Sequence, residues 1–246
     1  ATQRNEYISP WFYEILKGYN QTINNGIEDP RIPYYFYNEI SKTGAAQNAT
    51  EYRDSAFVSI YFGSVGPYRD NNQQNSMTVL GIYPVGGRYD EGDAIAVSGT
   101  SGTGSAPYRF ITYADVLYLK AELIHTGLIS GDERSVLQQA MQESFKQVDY
   151  VISNYVQPSQ SVPALSGTPA VNNYMNAVLD EYDAGNSNIK LQIIMTEKWI
   201  SSFGSAVDAY SDYRRTGYPV LFNPNDPGMA PNGFLQPPVN EDPLIN

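Results

Sequence analysis

The residues best suited to chemistry in this sequence are tyrosines set beside planar polar side chains. Tyr68-Arg69 and Arg88-Tyr89-Asp90 each join a flat ring to a guanidinium, and Tyr83 stands just upstream of the second group. A phenol ring offers an apolar face and one polar edge, suited to stacking on a sugar ring or gripping a peptide. The adjoining guanidinium and carboxylate can satisfy hydroxyl groups. Aromatic residues are plentiful throughout, with 21 Tyr, 2 Trp and 9 Phe among 246 residues.

Other chemistries find less support. Paired carboxylates can hydrolyse glycosidic bonds, and Asp90, Glu91 and Asp93, or Asp180, Glu181 and Asp183, would be the candidates. An acidic chain supplies such clusters by chance, so no catalytic residue is assigned. His125 is the single histidine, and no G-x-S-x-G pentapeptide accompanies it as a serine hydrolase would require. A structural role at its helix end is expected, where an imidazolium meets terminal carbonyls. One histidine cannot build a multi-histidine metal site. The Asp180–Asn188 stretch is rich in oxygen ligands and could take a structural Ca²⁺, yet it does not fit the EF-hand pattern, so a solvated loop is expected and no cofactor is assigned. The glycine spacing from Ser98 to Ser105 matches no phosphate-binding loop. Arg214-Arg215 reads as structural, pairing with Asp208 or Asp212, and Trp199 reads as core rather than as a binding platform.

Lys and Arg total 15 against 26 Asp and Glu, a formal charge of −11. An acidic surface repels phosphate backbones, and the basic residues form no cluster, which argues against nucleic acid as a partner. There is no cysteine, which removes disulfides, thiol nucleophiles and thiolate metal sites. No stretch approaches the roughly 20 apolar residues of a membrane-spanning helix.

Two regimes must position these residues. Residues 1–107 are rich in Gly, Asn, Tyr and Pro; residues 108–218 carry most of the helical periodicity; the proline-rich stretch 219–246 is expected to run extended. Ser9-Pro10 opens a helix that the Trp11, Ile15, Tyr19 spacing carries toward Asn24-Asn25-Gly26. After a turn at Asp29-Pro30-Arg31, Ile32 to Tyr37 reads as a strand or extended run. Phe57 to Phe62 and Thr78 to Tyr83 read as short strands. Thr112 with Asp115 forms a capping-box start, and Val116, Leu117, Leu119, Ala121, Leu123 and Ile124 give a wide apolar face. A second helix to about Tyr155 follows the short Leu128–Asp132 link, so the two form an αα-hairpin of tetratricopeptide type. Further helices are expected over Val171–Tyr182 and Asn188–Phe203, and a short one capped by Ser205 and Asp208.

The run Tyr108-Arg109-Phe110-Ile111-Thr112-Tyr113-Ala114-Asp115-Val116-Leu117-Tyr118-Leu119-Lys120-Ala121-Glu122 resembles the SusD/RagB family of outer-membrane lipoproteins. So do Glu197-Lys198-Trp199-Ile200, the Asp212 to Pro219 run, the Asp29-Pro30-Arg31 turn with its aromatic sequel, and Tyr83-Pro84-Val85-Gly86-Gly87. The resemblance implies one mainly α SusD-like domain over 1–246, incomplete at its N-terminus. In it, tetratricopeptide-like αα-hairpins pack against an irregular, loop-rich half with a few short strands. Residues 1–107 would face the ligand, 108–218 would be scaffold and 219–246 an extended tail.

It further implies a non-catalytic, cell-surface nutrient-binding lipoprotein. Such a protein captures oligosaccharide, or sometimes peptide, for a SusC-like TonB-dependent transporter, and is held in the outer membrane by an N-terminal lipid anchor outside this chain. Under that reading Tyr68, Arg69, Tyr83, Arg88, Tyr89 and Asp90 are the ligand-contact candidates. Rival readings are a carboxylate-dependent glycoside hydrolase, a peptide-capture protein of the same architecture, or a scaffold whose only partner is the transporter. Family members are typically longer, with the extra length N-terminal, so an apolar face of the Thr112–Tyr155 hairpin is expected to lack neighbours.

Overall fold

The computed structural model describes residues 8–44, 52–59, 76–90, 105, 108–156, 161–205 and 208–223. Its first helix, α1 (Pro10–Leu16), starts as the sequence expects: the Ser9 hydroxyl accepts from the Phe12 amide at 3.2 Å, and Pro10 fills a position that needs no N–H donor. It ends well before Asn24. Gly18 adopts φ +69°, and a Cβ there would lie 2.6 Å from the Ile27 amide nitrogen. The chain therefore turns out of the helix at Gly18 and folds residues 19–28 back beside it. Tyr19, whose spacing suggests a continuing helical face, belongs to that loop.

Ile32 to Tyr37 divides in two. Ile32–Tyr35 is a helical turn (α2), with the Tyr34 and Tyr35 amides bonded to the Arg31 carbonyl, and only Phe36–Tyr37 (β1) is extended. Pro30 and Pro33 fix φ near −65°, a value a helical turn accepts and a central strand does not. β2 (Tyr52–Asp54) and β3 (Phe57–Ser59) form an antiparallel hairpin through Ser55 at φ 57°. β1 pairs antiparallel with β4 (Val79–Leu80), Phe36 opposite Leu80. The expected strand to Tyr83 stops where Ile82–Val85 coils into a further helical turn, α3.

The helical part follows the sequence closely. α4 (Tyr113–His125) has its full capping box: the Asp115 amide donates to Thr112 Oγ1 at 3.1 Å and the Thr112 amide to Asp115 Oδ2 at 2.8 Å. Asp132, Thr168 and Asn186 cap α5 (Glu133–Tyr155), α6 (Pro169–Ala184) and α7 (Ser187–Ser201) through their side chains. α8 (Ala209–Thr216) has no side-chain cap at its N-cap Asp208, and the Ser205 hydroxyl donates to the Arg109 carbonyl. The mainly α architecture with a few short strands is the one expected. α4 and α5 form the hairpin, α7 packs on α4, and α6 lies against α5 and α7.

Leu117, Tyr118 and Ala121 of α4 meet Leu137, Met141, Phe145 and Val148 of α5, Val178 and Leu179 of α6, and Ile194 and Ile200 of α7. The same cluster runs on into Phe12, Ile15, Tyr35 and Phe36 of the loop-rich part. α4 turns a different edge inward than its apolar pattern suggests. Val116 is 48 % and Leu119 44 % exposed, while Ala114, Leu117, Tyr118, Ala121 and Glu122 are buried. Tyr108, Phe110, Ile111 and Tyr113 are exposed beside them. These exposed apolar side chains lie on α4 and on the segment that leads into it.

Candidate functional site

A cleft of about 790 Å³ opens where the loop-rich part meets the first half of α6. Three segments and one helix wall it. The 17–28 loop supplies Lys17, Tyr19 and Glu28; the β2–β3 hairpin supplies Asp54 to Phe57; the segments around α2 and β1 supply Pro30, Pro33, Phe36 and Asn38; α6 supplies Ala170, Asn173, Tyr174 and Ala177. The loop wall is held by backbone bonds from Gly26 N–H to the Gly18 carbonyl (2.8 Å) and from Asp29 N–H to the Leu16 carbonyl (2.7 Å). Within it the Asn20 side-chain Oδ1 accepts from the Thr22 and Ile23 amides, an Asx turn that fixes the loop's bend.

Aromatic rings form the floor. Tyr13 and Phe57 stack with centroids 3.6 Å apart and planes 10° from parallel, and Phe36 packs across both. Polar groups rise from this floor. The Tyr13 hydroxyl donates to Asp54 Oδ2 at 2.8 Å. Burial and the Asp54 carboxylate together push the Tyr13 phenol far above its ordinary range, and burial with Asp54 raises Tyr19 as well. Both hydroxyls stay protonated, so Asp54 is held by neutral donors. At the mouth Lys17 and Glu28 pair at 2.6 Å. On the opposite side Asn38 donates to Asp90 at 2.6 Å and accepts from Thr78 at 2.6 Å.

Behind the cleft lies a fully buried ionic network. Arg31 forks onto Asp29 (Nε to Oδ1 2.9 Å, Nη2 to Oδ2 2.6 Å) and reaches Ser144 at 2.8 Å, Glu197 at 3.2 Å and the Tyr174 hydroxyl at 3.3 Å. The Phe145 ring lies under the guanidinium, 4.8 Å away, and Tyr174 donates to Glu197 at 2.6 Å. Burial alone would lower the Arg31 pKa, but Asp29 and the other partners raise it well above its usual value. Burial raises that of Glu197, Arg31 opposing. Asp29 and Tyr174 also line the cleft, so the network fixes the position of two walls.

The sequence candidates scatter around this geometry. Tyr68 and Arg69 lie outside the described residues, as do Glu91, Asp93 and most of the Ser98–Ser105 run. Asp90 is buried and lines the cleft. Arg88 sits on the adjoining segment, over the Tyr37 ring at 4.0 Å and paired with Glu39 at 3.2 Å. Tyr89 is half-buried and tilts onto Tyr34, ring centroids 5.0 Å apart. Tyr83 lies in the core. It stacks on Tyr35 at 5.0 Å, its hydroxyl donates to the Ser201 carbonyl, and the Arg109 guanidinium covers it at 4.2 Å. Tyr13, Tyr19, Asn38 and Asp54 were not singled out as contacts by sequence; the Asn24-Asn25-Gly26 stop signal beyond Tyr19 was the nearest clue.

Of the remaining singled-out residues, Trp199, Arg215 and Asp183 are tied into the scaffold. Trp199 packs edge-on against Phe12 at 4.7 Å. Arg215 pairs with Glu122 and, at 2.9 Å, with Asp212. Asp183 pairs with Arg134 at 2.8 Å, and among the described residues no group of three or more His, Cys, Asp or Glu side chains could hold a metal ion. His125 Nδ1 lies 2.8 Å from Glu133 and its Nε2 lies 3.1 Å from the Ser187 hydroxyl. No described helix is long and apolar enough to cross a membrane.

Comparison with known proteins agrees with this architecture. The family model described as SusD-like, Susd and RagB outer membrane lipoprotein, matches residues 16–233. A solved SusD homologue from Bacteroides fragilis NCTC 9343 superposes with a TM-score of 0.54 at 18 % identity, covering 89 % of this chain and 42 % of its own. A second SusD homologue from the same organism gives 0.52 at 21 % identity, covering 89 % and 41 %. At such identities the likeness is one of fold, and the chain spans about two fifths of the length of either. No curated protein matches.

Proposed function

The chain belongs to the SusD-like family of SusD and RagB outer membrane lipoproteins, and from that premise we propose that it captures nutrient glycans or oligosaccharides at the cell surface without catalysis. The observation that supports this reading best is the cleft. An aromatic floor of Tyr13, Phe57 and Phe36 lies beneath Tyr19, Asn38, Asp54 and Asp90. Apolar ring faces with a few placed polar groups are what a sugar's two-sided surface needs. The acidic partners favour neutral hydroxyl donors over anionic ligands. Arg88 and Tyr89 adjoin Asp90 and extend the same surface, and Tyr68 and Arg69 are carried forward as further contacts.

In this reading a SusC-like TonB-dependent transporter receives the ligand. A lipid anchor holds the protein on the outer membrane. Calorimetric titration with neutral oligosaccharides and with peptides, each followed by product analysis, tests the proposal. Binding of intact oligosaccharide is expected, and Tyr19→Ala should weaken it on the order of tenfold, a loss of about 1.4 kcal/mol. Cleaved product would make the protein a glycoside hydrolase, and binding of peptide alone would make it a peptide-capture protein. Unchanged affinity in Tyr19→Ala would remove the cleft from the ligand path.

A further inference from the structure

At the end of α6 remote from the cleft walls, four helix ends converge on the single histidine. His125 closes α4, Glu133 opens α5, Tyr182 lies in the last turn of α6, and Ser187 opens α7. His125 Nδ1 is 2.8 Å from Glu133 Oε1, and Nε2 is 3.1 Å from Ser187 Oγ. A carboxylate oxygen only accepts, so Nδ1 carries a proton toward Glu133, and in the neutral ring Nε2 is the acceptor of the Ser187 hydroxyl. The Tyr182 hydroxyl donates to the same Glu133 oxygen at 2.6 Å and holds it in place. The His125 and Glu133 side chains are only 10 % and 19 % exposed, whereas Ser187 is exposed. A nucleophile open to solvent thus backs onto a largely shielded base and orienting acid.

From this geometry we infer that Ser187, His125 and Glu133 form a serine-nucleophile relay that transfers the acyl group of small esters. It is an activity additional to ligand capture and independent of the cleft. The three roles of such a relay are a nucleophile within hydrogen-bond reach of a base, a base oriented by a third group, and donors for the developing oxyanion. The first two are the contacts of Ser187 with His125 and of His125 with Glu133. For the third, Ser187 and Asn188 occupy the first two positions of a helix of 15 residues, and the Asn186 side chain engages only the Ile189 amide. The Ser187 and Asn188 amides thus point out of the helix start beside the hydroxyl, where an oxyanion can be met. The absence of a G-x-S-x-G turn is no obstacle, because a helix start presents the serine in its place.

The reaction balances on these groups. Ser187 Oγ bonds to the ester carbonyl carbon, and its proton passes to His125 Nε2. The carbon–oxygen bond to the alcohol then breaks as Nε2 gives that proton to the departing alkoxide. Water next attacks the acyl-serine, its proton taken by the same nitrogen and returned to Ser187 as the carboxylic acid leaves. Glu133 is a positioning residue that keeps the ring in register, and Tyr182 positions Glu133.

The test uses a fluorophosphonate probe, which loses fluoride as it bonds to an activated serine, together with p-nitrophenyl acetate hydrolysis. The probe is expected to label Ser187 in the intact protein, located by peptide mass mapping. Ser187→Ala should abolish labelling and return hydrolysis to the buffer rate. His125→Ala should slow both by about 10²-fold or more, the usual share of a general base, and Glu133→Gln should slow labelling at least several-fold with the fold intact by circular dichroism. Ser187→Ala removes one exposed hydroxyl, so its folding is not at issue. No labelling of the intact protein overturns the inference, as does labelling of Ser187 that proceeds equally fast in His125→Ala. Neither result touches the capture reading, which rests on calorimetry at the cleft.

Discussion

Replacing Arg31 with methionine measures what the buried ionic network contributes. Methionine keeps most of the side-chain length and removes the charge. The guanidinium's bonds to Asp29, Ser144, Tyr174 and Glu197 would be lost together. Two carboxylates whose side chains are 0 % and 1 % exposed would then remain without their cation. Breaking a buried pair by deleting one partner costs about 3–5 kcal/mol, because the surviving charge stays desolvated. The loss is bounded from above, since a stranded carboxyl can take up a proton. For a chain of this size that cost corresponds to a fall in Tm of about 6–20 °C. Thermal and urea unfolding followed by circular dichroism would read it. Adding Asp29→Asn and Glu197→Gln to Arg31→Met removes the stranded charges and should recover most of the loss, since whole buried networks are often replaceable at little cost. A Tm within about 2 °C of the wild type for Arg31→Met alone would refute the reasoning and reduce the network to a bystander.

Glu197 gives a pH-dependent companion. Burial raises its folded-state pKa above the ordinary 4.5, so its stability contribution is fully present at low pH and is lost as pH rises through the folded value. Compared with Glu197→Gln, the wild type should gain stability as pH falls from 7 toward 4.5 in urea titrations; a relative loss over that window would contradict the shift. Gly18→Ala should destabilise by at least about 1–2 kcal/mol, from the left-handed backbone alone, with the 2.6 Å approach to the Ile27 nitrogen adding to it. It should also weaken ligand binding by displacing the Tyr19 wall, and a variant as stable as the wild type would mean that the loop does not need this turn.

The scaffold was legible where local chemistry decides the conformation. Thr112 and Asp115 announce the start of α4 through a bond pattern that needs only four consecutive residues, and Asp132 and Asn186 cap α5 and α7 in the same local way. Prediction fails where a distant contact decides. The Trp11, Ile15, Tyr19 period continues past Leu16, and the helix stops because Gly18 must pass the Ile27 backbone. α4 carries apolar residues on two sides, so its period could not say that Leu117 is buried while Val116 is exposed. Tyr83 reads as a ligand contact at the end of a short strand, yet Arg109 and Ser201, remote in sequence, enclose it. The cleft is assembled from residues as far apart as Tyr13 and Ala177, and its walls meet only after the chain has folded. Asp90, which lines the cleft, stands out in the sequence because a carboxylate beside Arg88 and Tyr89 is a local signal; Asp54 carries none.

The reach of Arg31 also sets an order in time. Its partner Glu197 lies 166 residues further along the chain, and at a synthesis rate of about 5–20 residues per second that carboxylate emerges roughly 8–33 s later. Until then the Arg31 network is incomplete, and the aromatic segment Tyr34 to Tyr37 beside it lacks the α7 part of its cover. The wait is longest for the part of the chain richest in exposed rings. Any factor that shields apolar segments of the nascent or newly exported chain should therefore act on the N-terminal third, and should be released when α7 arrives.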